Sequence, residues 1–233
     1  MSITFRPEDL LKEANELSPV ITAARRVVDE QSKGVDSDGA PGIASKLINA
    51  AIEAQRTLAD VRKYPAGRRA EADEILLTAE RAYSDWKGSI DVVETVYLAD
   101  LRVAIFKAPT GTEALIARSD AEQVLRRNDL SLNDVFRTLV AAGGALSQLA
   151  LSPWLELVAT GRNADAKALR IAAEAAFIQR EANNGNETAR KLQAAPTAYA
   201  KLRAAMAKLA AECTGVNRSA FAERALSWGS ANA

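Results

Sequence analysis

Between Ile75 and Ile105 apolar side chains return at steps of three and four: Ile75, Ala79, Ala82, Tyr83, Trp86, Ile90, Val93, Tyr97, Leu101 and Ile105. That seam is the signature of one amphipathic helix face. It predicts a helix over residues 68–107, about 60 Å long at 1.5 Å per residue. Gly88 lies inside it and marks the one place where it could break. The β-branched run "VVETVYLADLRVAIF" leaves a short strand around 101–106 as the alternative.

The same spacing, with caps and breakers, lays out the rest of the chain. Pro7 with Glu8 and Asp9 starts a helix over 7–16, and Ser18-Pro19 starts a second that runs to 31. "KGVDSDGAPG", residues 33–42, is the clearest linker. It is no calcium loop. With Gly39 as the turn glycine, the first and last ligand positions fall on Gly34 and Ser45, where Asp and Glu are needed. Helices follow over 43–64, 112–127 and, from the cap pair Ser131/Asp134, over 131–148 with a relaxation at Gly143-Gly144. Ser152-Pro153 starts a short helix that Gly161 ends. Two Ala-rich helices, over 164–181 and from Pro196 to 212, flank the polar loop "NNGNET" at 183–188. Ser219 can cap a last helix from 220 to 227. The fold class is therefore all-α. The expected architecture is a bundle of antiparallel helices with a long central helix or helix pair, and short strands or none. Residues 1–42 form an arm or decoration and 43–233 the bundle.

Composition narrows what such a bundle does. Thirty basic residues balance thirty acidic ones, so no large basic face is expected, although a narrow basic groove stays open. Histidine is absent and Cys213 is the single cysteine. No Ser-His-Asp or Cys-His system, no His-bearing zinc or di-iron site and no disulfide within the chain can be built. "GAPG" and "AAGG" lack the Lys-Ser/Thr of a phosphate loop. Carboxylates sit beside Lys and Arg at helix-surface spacing, as solvated pairs do. No run approaches the ~20 apolar residues of a membrane span, and "MSITFRPEDLL" lacks a signal peptide's regions. The expectation is a non-enzyme in a reducing compartment, with no cofactor, no metal and no membrane partner. Alanine where a thick core would want Leu or Phe reflects either a compositional bias or thin, closely packed helices that gain from neighbouring subunits.

The last stretch, "AYAKLRAAMAKLAAECTGVNRSAFAERALSW", resembles the C-terminal region of the coat proteins of rod-shaped plant RNA viruses, the tobamovirus-, furovirus- and benyvirus-like group. The residues that carry the likeness are Asn217, Arg218, Phe221, Glu223, Leu226 and Trp228, together with Thr214 and Gly215. "QREANNGNETARKLQ" is similar to that family's polar loop between its last two long helices. The likeness covers 164–228, and it departs at Ala222, where the family places its Glu directly after Phe.

The resemblance implies a subunit that self-assembles into a helical rod around single-stranded RNA, in the virion and the host cytoplasm. It implies that the loop faces RNA, with Arg180, Arg190 and Lys191 on phosphates and Asn184 and Asn186 as polar contacts. Phe221 and Trp228 would pack at the outer end of the bundle and Arg218 would be a structural hydrogen-bonding residue there. The alternatives are a helical adaptor or scaffold, such as a phage neck component, with no nucleic-acid role, and a helical effector acting through protein contacts.

Overall fold

The structure is a computed structural model that describes residues 7–127 and 129–230, with side chains described over 8–127 and 129–227. Every regular element among these residues is helical, and the protein is an all-α helical bundle. In order, the elements are α1 (Pro7–Glu13), α2 (Pro19–Gln31), α3 (Ala40–Ala59), α4 (Pro65–Ile105), α5 (Gly111–Leu125) and α6 (Leu132–Ala142). They continue with α7 (Gly144–Ala150), α8 (Trp154–Gly161), α9 (Ala166–Asn183), α10 (Glu187–Thr214), the 3-10 turn η1 (Gly215–Arg218) and α11 (Ala220–Ser230).

The expected helix over 68–107 forms as α4, and two later helices differ from the sequence pattern. The rival strand at 101–106 does not form, and α4 runs unbroken through Gly88. No neighbour would meet a Cβ at Gly88, so nothing but its own backbone entropy weakens the helix there. The expected helix over 131–148 is two helices, α6 and α7. Gly143 stands between them at φ +78°, a conformation that an L side chain strains to adopt. The last Ala-rich helix begins at Glu187, not at Pro196. Asn186 caps it, so the ladder is already running when it reaches the proline. Pro196 sits inside α10, where its missing N–H leaves the Leu192 carbonyl without its usual donor.

The chain divides into two compact units, residues 1–96 with 197–233 and residues 97–196. The divisions fall within α4 and α10 and not at the glycine-rich segment 33–42.

In the first unit α1 and α2 help to form the core: Leu10, Ala14, Ile21, Ala24 and Val28 are buried. The segment between α2 and α3 is tied down. Tyr199 Oη donates to the Asp36 carbonyl at 2.7 Å, Trp86 Nε1 donates to the Ser37 carbonyl at 3.0 Å, and Ser89 Oγ bonds the Asp38 carboxylate. Asp38 and Gly39 both take positive φ, and Asp36 Oδ1 accepts from Asp38 N–H at 3.2 Å. The Asp-Gly spacing thus serves turn geometry. Arg203 on α10 pairs with Asp91 at 2.6 Å and with Glu94, and stands 5.7 Å from the Tyr199 ring centroid.

The second unit has a core of Val135, Phe136, Leu139, Val140, Leu149, Leu155 and Phe177, filled in with buried alanines. Phe106 meets Phe177 at 5.5 Å between centroids, and Trp154 meets Phe136 edge-on at 6.0 Å.

Candidate functional site

The α9–α10 turn brings together the five residues expected at RNA, and its geometry follows from helix-capping rules. α9 ends on a paired set of backbone bonds: Gly185 N–H to the Ala182 carbonyl at 3.2 Å and Asn186 N–H to the Glu181 carbonyl at 3.0 Å. Gly185 takes φ +91° to permit this. These are the two bonds of the Schellman ending. Asn186 then starts the next helix. Its Oδ1 accepts from Thr188 N–H at 3.0 Å and Ala189 N–H at 3.2 Å, the N-cap arrangement. Its Nδ2 donates to Glu181 Oε2 at 3.4 Å. A turn of three residues, Asn184 to Asn186, closes both helices, and Gly185 and Asn186 are the residues that closure requires.

The cations of this turn are unequal. Arg190 is exposed, yet its Nε donates to the Ala182 carbonyl at 3.0 Å, near the C-terminal end of α9 where a cation complements the helix dipole. Arg180 is half-buried. Its Nη1 contacts Glu181 Oε1 at 3.0 Å, and its guanidinium lies over Gly143, where an added Cβ would come within 2.0 Å of Nη2. Gly143 therefore needs to be glycine twice, for its φ and for the arginine above it. Lys191 and Asn184 are exposed and make no side-chain bond among the described residues. Of the five residues, these two point unbonded from the turn, Arg190 offers its remaining N–H groups, and Asn186 and Arg180 hold the fold.

Replacing Asn186 with alanine is expected to cost about 1 kcal/mol through the lost cap. Urea unfolding of the single variant would read it, and Asn184→Ala, which removes no cap bond, serves as the neutral control.

The C-terminal residues belong to the first unit. Phe221 is buried against Leu10, Ala14, Ala54, Leu58, Ala72 and Leu76, with Ala222 and Ala225 in the same cluster. Leu226 packs on its edge and Glu223 is exposed in the first turn of α11. Ser219 caps α11, its Oγ accepting from Ala222 N–H at 3.3 Å. Asn217 Nδ2 donates to the Asp73 carboxylate. Trp228 falls in α11, and its side chain lies outside the described residues.

Arg218 does not take the hydrogen-bonding role given to it above. It is exposed and makes no side-chain bond among the described residues. A different arginine fills that role. Arg68, in the first turns of α4, has 0% of its surface exposed, and its Nη1 donates to the Leu58 carbonyl at 2.7 Å and the Ala225 carbonyl at 3.0 Å. Leu58 lies in the last turn of α3, whose carbonyls have no helical donor. Burial lowers the Arg68 pKa, and its Nε and Nη2 have no partner. No spacing signal distinguishes Arg68 from its neighbour Arg69, which is exposed.

Comparison with family models, with curated proteins and with solved structures finds no match to this chain.

No cluster of three or more Cys, Asp or Glu side chains placed to hold a metal ion occurs among the described residues. No helix among them is long and apolar enough to cross a membrane. Cys213 is fully buried, and burial raises its thiol from 9.0 to about 12, with Glu212 adding to the shift. The folded protein keeps this thiol neutral where the unfolded chain would ionise it. Its contribution to stability is complete below pH 9.0 and falls as pH climbs from 9.0 toward about 12. Cys213 should resist iodoacetamide at pH 8 in native protein and react fully in urea, as mass spectrometry would show.

Proposed function

We propose that this chain is a non-enzymatic structural subunit, a coat protein that assembles with copies of itself into a helical filament and takes up single-stranded RNA along the α9–α10 turn. Its place would be the virion and the host cytoplasm. The observation that carries the assembly part is apolar surface on the second unit. Val103, Leu115, Ile116, Leu157 and Ile171 are exposed by 57–76%, while much of the core beneath them is alanine. A thin core with large aliphatics turned outward suits a subunit that completes its burial against neighbours. The RNA part is supported by the C-terminal resemblance and by Lys191, Asn184 and the outer edge of Arg190 at one tight turn. Few cations per subunit suffice when many subunits follow one strand, and each phosphate contact would add about −0.7 to the slope of log affinity against log salt.

A second reading, a helical scaffold with no nucleic-acid role, draws on one feature of the same turn. Asn186, Arg180 and Arg190 already serve the fold there. Negative-stain microscopy of the purified protein, with its 260/280 nm absorbance ratio, separates the two. RNA-bearing filaments whose RNA loses nuclease protection in Lys191→Glu support the coat reading. Filaments or rings without RNA support the scaffold, and a stable monomer across pH and salt removes both.

A further inference from the structure

Helix α5 turns its small residues inward and its large ones outward. Its buried positions are Ala117 and Ala121. Leu115 is 67% exposed and Ile116 57%. At about 100° per residue, Leu115, Ser119, Thr112, Gln123 and Ile116 share one sector opposite the two buried alanines, and all five are exposed. No residue within that sector is charged, although Arg118, Asp120 and Glu122 are exposed on either side of it, Glu122 about 20° from Leu115. Charge stands at its border. Arg118 and Glu122 lie one turn apart on the same flank, both exposed, and neither makes an ion pair or side-chain hydrogen bond among the described residues. A basic residue four positions before an acidic one is the weaker order for pairing along a single helix. It becomes a good order across an antiparallel copy, where Arg118 of each helix lies level with Glu122 of the other.

We infer that the α5 face is a contact between two copies of this chain, an antiparallel α5–α5 pair about a two-fold axis level with Asp120. The inference rests on the reading of the chain as a self-assembling subunit; copies paired about a two-fold axis cannot follow one RNA strand in the same sense, so the contact belongs to the protein free of RNA or joins copies on different strands. Leu115 and Ile116 supply the apolar area, Ser119 lets the helices approach near the axis, and the two Arg118–Glu122 pairs fix the antiparallel sense. The same residues meet on both sides, as an isologous contact requires. The Asp120 carboxylates meet at the opposite, solvated edge, where salt screens them. One helix pair falls short of the ~1,200–2,000 Å² of a standard interface, so this contact alone makes a weak, concentration-dependent pair. Growth beyond the pair uses other, heterologous faces.

Sedimentation velocity over a concentration series tests this on the full chain, with circular dichroism to confirm folding. Leu115→Glu and Ile116→Glu should each lower self-association at least tenfold. Arg118→Glu and Glu122→Arg should each weaken it, and the double exchange should restore it. Ser119→Cys should give an oxidised dimer while Cys213 stays buried and unreactive. If the parent self-associates and Leu115→Glu does so equally, the α5 contact is overturned while the assembly reading stands. A double exchange that fails to restore association overturns the antiparallel arrangement and with it the proposal. A parent that is monomeric at every concentration overturns both.

Discussion

Replacing Arg68 with alanine should destabilise the first unit by about 3–5 kcal/mol, because it leaves the buried Leu58 carbonyl without a donor at ~1–3 kcal/mol, removes a second donor from the Ala225 carbonyl and opens a cavity besides. The carbonyls are those of Leu58, at the end of α3, and Ala225, in α11. Arg68 is therefore the point at which the C-terminal helix is fastened to the body of its unit. A second variant isolates the charge. Arg68→Met keeps most of the volume and removes the two nitrogens that have no partner, Nε and Nη2. Burying those groups has a cost of its own, so Arg68→Met should lose less than half of what Arg68→Ala loses. Equilibrium urea unfolding followed by circular dichroism reads both. A loss below 1 kcal/mol in Arg68→Ala would show that the Leu58 carbonyl finds another donor and that the fastening is not there.

Phe221→Ala should cost a similar amount, about 3–5 kcal/mol, as a truncation in a packed core. Phe221 is 6% exposed and is the largest side chain in a cluster otherwise built from Leu10, Leu58, Leu76 and six alanines. Alanines have nothing to extend into the vacated space, so the cavity would stay open and the loss should sit toward the upper end. Phe221→Leu, which fills part of it, should recover at least half. A Phe221→Ala variant with an unchanged urea midpoint would mean that this cluster contributes nothing to the unit's stability. The insertion of Ala222 has a place in the same account. It is 1% exposed and lies in the cluster beside Phe221, so Glu223 falls on the exposed side of α11.

What was legible in the chain was what local chemistry writes. Ser18-Pro19, Ser131 with Asp134, and Ser219 each cap the helix their spacing announced. The seam from Ile75 to Ile105 is one helix because its period is helical, and the β-branched run does not override that period. Misreadings came where a residue has two uses. Proline is the usual first residue of a helix, and Pro196 read that way, although the stronger signal was Asn186 ten positions earlier. Gly143-Gly144 read as a relaxation because φ cannot be seen in a sequence. In the polar loop "NNGNET" the spacing could not tell an exposed interhelical loop from a ligand surface, nor show that Asn186 caps α10. Arg68 was invisible for a plainer reason. An arginine among Arg69, Glu71 and Asp73 looks like any surface charge, and only the return of Ala225, far along the chain, makes it interior.

The buried alanines of α3, Ala40, Ala44, Ala51, Ala54 and Ala59, set an unusual pattern of mutational tolerance. In most cores the damaging substitution is the one that shrinks a side chain. Here the side chains are already near the minimum, and the space a larger one would need is held by the residues packed around them. Ala→Val or Ala→Leu at these positions should cost about 1–3 kcal/mol by overpacking, more than the ~1 kcal/mol of Ala→Gly in a helix. A saturation scan of α3 would then rank substitutions by volume ahead of polarity, with serine outscoring leucine inside a hydrophobic core. Sequence drift in this helix is confined from above, and its alanine-rich composition is what that confinement would leave behind.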